Sequence, residues 1–322
     1  AFFERHPTDA RAALAMLRDA SAVLEKLLNG GHSFIAGRLA GGLRDIGRGR
    51  LADDIVKAMQ TAGYKVREVN PFEDAAPAAL AEREHSPHAA RIRLMWQAMR
   101  STVIDVFPEP PGLPKGKKAF LKRIEDVYKA DAYHSLSIEG YRVSGTLIER
   151  VRQGAWHPDA REEDRQQRDA LAARGYWQAF QAVRSSIEKV LNENDPGDVA
   201  DTDHSDWYRE MFAPSVTAGL LKPGDLAGYR NMPVCIRHSK HVPPSATAVR
   251  DLIPAFFQLL KEEAHPAVRV VLGHFVFVYI HPYMDGNGRI GRFLMNLMLA
   301  SGGYPWTIIP VERRNEYMAA LE

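Results

Sequence analysis

Apolar residues recur at helical spacing from Pro7 to Leu28, behind the capping candidates Thr8 and Asp9, and Gly30 and Gly31 close the segment. Similar amphipathic stretches cover roughly 33–46, 51–62, 75–84 and 87–106, and Tyr64 to Val69 predicts one short strand, so the first hundred residues read as mostly helical. Pro108, Pro110, Pro111, Gly112 and Pro114, followed by Lys115, Lys117 and Lys118, can continue neither helix nor sheet and predict a linker over 108–115. The expected domains are therefore 1–107 and 116–322. Beyond the linker the pattern predicts a helix over about 116–139, a charged helix over about 159–192 and a polar loop near 193–206. From Gly228 to Pro244, Met232, Val234 and Ile236 alternate ahead of a polar turn, which predicts a small β-hairpin in an otherwise all-α chain.

Composition narrows the class. With 322 residues, 45% hydrophobic and 25% charged, the chain has the makeup of an ordinary globular protein, and disorder, collagen and a disulfide scaffold are disfavoured. Forty-two basic against 40 acidic residues leave a net charge of +2, too small to argue for nucleic acid or membrane. The longest apolar stretch, Val270 to Ile280, contains His274 and falls short of the ~20 residues that span a bilayer. A lone cysteine, Cys235, excludes an internal disulfide and fits a reducing compartment such as the cytoplasm; its expected place is as a small buried hydrophobe. The sequence starts at Ala1 and stops at Glu322 within a helical pattern, as expected of a trimmed piece. Arg38, Arg44, Arg48 and Arg50 suit either a solvated helix face or a small DNA-contacting module.

The most informative stretch runs from His281 to Arg292. Gly286, Gly288 and Gly291 satisfy G-x-G-x-x-G, but His281 and Pro282 intervene between the apolar run and the glycines, and little chain follows to build a doubly wound sheet. A different reading uses every residue. Pro282 disfavours αR at position 281, so a buried helix from about Ala267 should end near His281 and leave its imidazole at a loop entrance, where it can act as a base. Gly286 and Gly288 allow close approach of backbone to ligand, and a helix starting near Gly288 offers unpaired amides to an anion. Arg289 and Arg292, three apart, suit phosphate oxygens, while Leu294, Leu297 and Met298 can pack. Asp285 beside a phosphate site suits Mg²⁺ or Mn²⁺, which takes one or two carboxylates plus substrate phosphates.

These twelve residues resemble the signature of the Fic family, H-x-F-x-(D/E)-G-N-G-R-x-x-R, with Tyr283 in place of Phe. The similarity covers roughly 116–322. It implies a helical core that transfers AMP from ATP to a hydroxyl of a target protein. On that resemblance His281 is the base, Asp285 the metal ligand, and Gly286, Asn287 and Gly288 the phosphate cradle. Arg289 and Arg292 neutralise the distal phosphates, and Tyr317 matches a position facing the adenine. The alternating segment Val234, Cys235 and Ile236 is similar to the family's target-positioning flap. Upstream, Ser135, Glu139 and Gly140 resemble the family's inhibitory motif (S/T)-x-x-x-E-(G/N), which implies self-inhibition by Glu139 through Arg292. Relatives are often dimers. Two other activities stay open: removal of AMP from a modified protein, and a nucleotide-sensing regulator whose N-terminal part contacts DNA.

Overall fold

The computed structural model describes residue 3 and residues 7–72, 86–153, 168–236 and 239–322; the helix expected over 75–84 and the start of the charged helix lie outside them. The described residues contain helices and two short 3₁₀ turns and no strand. The chain divides into two compact units, residues 1–86 with 222–231, and residues 87–221 with 232–322.

The first unit holds α1 (Pro7–Ala15), α2 (Ser21–Gly30), α3 (Ser33–Asp45) and α4 (Gly49–Thr61). Its helices bury the residues their spacing marks: Ala52, Ile55, Ala58 and Met59 on α4 meet Leu14, Leu24, Leu27 and Leu43 in one core. The single helix expected over 7–28 is broken at 16–20, where the Asp19 carboxylate accepts the Ser21 amide at 2.7 Å and starts a second helix. Gly31, at φ 63°, closes α2 as expected.

Residues 64–70 run extended along α3 but pair with no strand. They lie so close that a Cβ at Gly37 would strike the Arg67 carbonyl and one at Gly41 the Val69 carbonyl. Gly41→Ala adds about 1 kcal/mol of helix propensity but forces a backbone shift costing about 2–3 kcal/mol. A net loss of about 1–2 kcal/mol is expected, read as a lower denaturation midpoint; an unchanged midpoint would refute this packing. Three of the four arginines singled out in this unit are engaged internally: Arg44 bonds Glu68 and Asp53, Arg48 donates to the Leu14 and Ala15 carbonyls, and Arg38 lies over the Phe3 and Phe34 rings.

The second unit comprises α5 (Pro87–Val106), α6 (Lys117–Ile138), α7 (Gly145–Arg152), α8 (Arg168–Leu191), α9 (Pro196–Thr217), α10 (Ala246–Glu262), α11 (Pro266–Ile280), α12 (Asn287–Ser301) and α13 (Arg314–Ala320). Helix α5 belongs here because Trp96 and Arg100 both donate to the buried Glu263 carboxylate, at 3.2 Å and at 2.8 and 2.9 Å. The division therefore falls after residue 86, and the proline-rich segment sits inside this unit: Gly112 N–H donates to the Gly302 carbonyl, and the Tyr304 hydroxyl to that of Pro108.

The polar loop expected near 193–206 is instead the start of α9. Asp195 caps it, accepting the Asp198 amide at 2.8 Å, and Pro196 fills the first turn. Its buried Asp203 is satisfied, accepting from Ser186 at 2.7 Å and from Lys189 at 2.7 and 2.9 Å. No hairpin ladder forms among the described residues of 228–244. Pro233, Pro243 and Pro244 lack amide donors, and the one turn bond there runs from Ser239 N–H to the Ile236 carbonyl. Cys235 is exposed, not buried, because it occupies the outward register between half-buried Val234 and Ile236.

Candidate functional site

Helices α11 and α12 meet at the loop 281–286. Helix α11 ends at Ile280, and His281 turns the chain in the left-handed region at φ 52°, an uncommon conformation for a residue with a side chain. Its amide still donates to the Phe277 carbonyl at 3.0 Å. The ring Nδ1 lies 3.2 Å from the Val278 carbonyl, which can only accept. That contact protonates Nδ1, so in the neutral imidazole the lone pair sits on Nε2.

The loop is held rigid from within. Tyr283 is buried and stacks on Tyr208 with ring centroids 3.8 Å apart. The Asn287 side chain accepts the Tyr283 amide and donates to its carbonyl, both at 2.8 Å, so Asn287 latches the loop with its side chain. Gly286, at φ 81°, introduces α12, and the Asp285 carboxylate accepts its amide at 2.6 Å.

Helix α12 begins as an anion site that is already filled by a carboxylate. Arg292, 4% exposed, donates to Glu139 Oε1 at 2.7 Å, to the Ser135 hydroxyl at 2.9 Å and to the Ser135 carbonyl at 3.0 Å. The same Glu139 oxygen lies where a Cβ on Gly288 would be, against the first turn of α12. Glu139 ends α6, and Gly140, at φ 85°, turns the chain away. Burial opposes the charge on Arg292, but the Glu139 carboxylate together with the Tyr317 and Tyr176 side chains outweighs it and raises the guanidinium's pKa. Arg292 Nη1 and Arg289 Nε, both buried, have no hydrogen-bond partner. Two charged donors are thus left unpaired at the mouth of a helix N-terminus, which is where a polyanion would satisfy them.

Arg289 is 1% exposed. Its Nη2 lies 3.3 Å from Asp285, whose side chain is 61% exposed, and its guanidinium stands 5.1 Å from the Tyr141 ring centroid and 5.2 Å from that of Phe212. Neither aromatic was legible as a site residue, because nothing in spacing ties position 141 or 212 to 289. The remaining expected residues divide. Ser135, Glu139, Gly288 and Arg292 come together; Tyr317 stacks on His274 beside Arg292, its hydroxyl 2.8 Å from His274 Nε2. Burial pushes His274 down to about 4, so this inner imidazole is neutral and adds no like charge. Beneath Ser135, the Tyr176 and Trp306 side chains donate to Asp131 at 2.6 and 2.9 Å; burial raises that carboxyl to about 6 against these bonds. Val234, Cys235 and Ile236 lie in a segment without regular secondary structure, and His241 after it stacks on Tyr279 and contacts the Tyr279 carbonyl at 2.9 Å.

Comparison with known proteins agrees with this geometry. The Fic/DOC family model matches residues 204–299. Protein adenylyltransferase Fic of Drosophila yakuba is 28% identical over 202 residues, 62% of this chain and 37% of that protein. The protein of the same name from Nematostella vectensis is 26% identical over 247 residues, 76% of this chain and 53% of its own length. The chain thus spans about half or less of these relatives. The solved structure of Fic-1 from C. elegans superposes with a TM-score of 0.51 at 21% identity, covering 97% of this chain and 88% of that one, a likeness of fold. Loop, latch and helix N-terminus carry the twelve-residue signature inside residues 204–299, the segment that the Fic/DOC family model matches.

Proposed function

We propose that the chain transfers AMP from ATP to a hydroxyl of a target protein, and that it rests in a self-inhibited state. The observation that carries this reading is the Glu139 carboxylate seated at the N-terminus of α12 on Arg292, beside two unpaired guanidinium donors. The site is built for negative charge, and a side chain of the same protein holds the place of a terminal phosphate. The relatives named protein adenylyltransferase Fic support the same reaction.

In that reaction His281 Nε2 takes the proton of the attacking hydroxyl. The hydroxyl oxygen bonds to the α phosphorus, the bond from that phosphorus to the α–β bridging oxygen breaks, and pyrophosphate leaves. The amides of Asn287 and Gly288 cradle phosphate oxygens; Gly286, whose own amide is held by Asp285, supplies the turn that presents them, and the Asn287 side chain is committed to the loop. Arg289 and Arg292 neutralise the distal phosphates, and Tyr317 would contribute through its ring, since His274 holds its hydroxyl. The segment 234–236 would hold the target by its backbone. Positioning and charge neutralisation carry most of such phosphoryl chemistry. Mass spectrometry of the chain and candidate targets after incubation with ATP tests the reading: added AMP is expected, and added phosphate would refute it.

Asp285 fits a divalent cation in one specific sense. Its carboxylate is exposed beside the cradle, and no cluster of three metal-ligating side chains occurs among the described residues, so phosphate oxygens and water must complete the shell. Mg²⁺ or Mn²⁺ bound there would supply further charge neutralisation. Metal binding is expected to require nucleotide, and Asp285→Ala to raise the metal concentration needed for transfer. Full activity in excess EDTA would remove Asp285 from this role.

A further inference from the structure

We infer that Tyr141 and Phe212 form an aromatic clamp that aims Arg289 at the phosphate tail of a nucleoside triphosphate, a positioning role that rests on the nucleotide reading above. Arg289 is among the largest fully buried side chains of the protein, yet its charge is poorly compensated by ordinary partners. Its ion pair with Asp285 is long, at 3.3 Å, and that carboxylate also serves the Gly286 amide. Its Nε bonds to nothing. A desolvated guanidinium needs other stabilisation, and two ring contacts at 5.1 and 5.2 Å supply it.

The two rings arrive from separate elements. Phe212 comes from α9 and is braced by the glycine loop itself, since a Cβ on Gly286 would approach its Cε2 to 2.9 Å. Tyr141 comes from the turn after α6, two residues beyond Glu139 with Gly140 between. One turn therefore addresses both arginines: Glu139 occupies Arg292, and Tyr141 holds Arg289. Any cation that draws on the Asp285 carboxylate weakens the ion pair, so the rings become the principal restraint when the site is loaded.

The test uses the full chain carrying Glu139→Gly and compares Tyr141→Phe with Tyr141→Leu, measuring ATP and AMP binding by calorimetry. Leucine keeps bulk and loses the π face. Tyr141→Leu is expected to raise the ATP Kd about three- to thirtyfold and to leave the AMP Kd unchanged, because AMP lacks the distal phosphates; Tyr141→Phe should match its parent. Equal losses for ATP and AMP, or none for either, overturn the clamp. A parent that binds neither nucleotide overturns the nucleotide reading and the clamp with it. Should Tyr141→Leu unfold, Phe212→Leu offers the same contrast from the other ring.

Discussion

His281→Ala in a Glu139→Gly background is expected to lower nucleotidyl transfer by about 10²- to 10⁴-fold with ATP affinity retained. The geometry supports a large effect on chemistry and a small one on binding. His281 sits at the exit of α11, while the arginines and the helix N-terminus proposed to take phosphate belong to α12. The Val278 carbonyl fixes the ring tautomer, so the basic nitrogen is in place before a substrate arrives. The backbone raises a competing explanation, because alanine at φ 52° is strained by about 1–2 kcal/mol and the loop itself could shift. His281→Asn separates the two, since asparagine tolerates the left-handed region and cannot act as a base. Both variants should lose transfer when labelled AMP incorporation is followed over time. If His281→Asn restores the rate, the imidazole is not the base.

Much of this site was legible because its chemistry is local. Pro282 marks the end of α11, and positive φ at Gly286 and the start of α12 at Asn287 fall where the glycines predict them. The meeting of Ser135 and Glu139 with Arg292 joins positions more than 150 residues apart, and only the family resemblance supplied that pairing. What the sequence concealed depends on partners far along the chain. Trp96 and Arg100 assign α5 to the second unit through Glu263, which no local pattern records. Helix α9 was hidden by its own aspartates, whose partners on α8 make burial tolerable. The Asp195 and Pro196 pair was the one local sign of its start. The proline-rich segment followed the composition of a linker but packs on residues 302–304.

Glu139→Gly is expected to raise AMP transfer at least about tenfold, with self-modification becoming visible. A charge-assisted hydrogen bond contributes about 1.5–3 kcal/mol, which biases the blocked arrangement by roughly 10- to 150-fold. The bond from Arg292 to Glu139 at 2.7 Å is of that type, and it is partly screened from water. Glycine at 139 frees one N–H of Arg292 Nη2 and clears the first turn of α12, while the Ser135 hydroxyl and carbonyl still hold Nε and the other N–H of Nη2 and orient the guanidinium. Arg292→Ala removes the inhibitory partner and a phosphate ligand together, so it should not be activated, and the double variant should behave like Arg292→Ala alone. Non-additivity of this kind marks two residues acting on one site. A time course of labelled-AMP incorporation for the four proteins at one ATP concentration reads the outcome. A Glu139→Gly protein no faster than its parent would show that the carboxylate does not inhibit, and loss of an AMP-removing activity in that variant would identify Glu139 as serving the reverse, hydrolytic reaction.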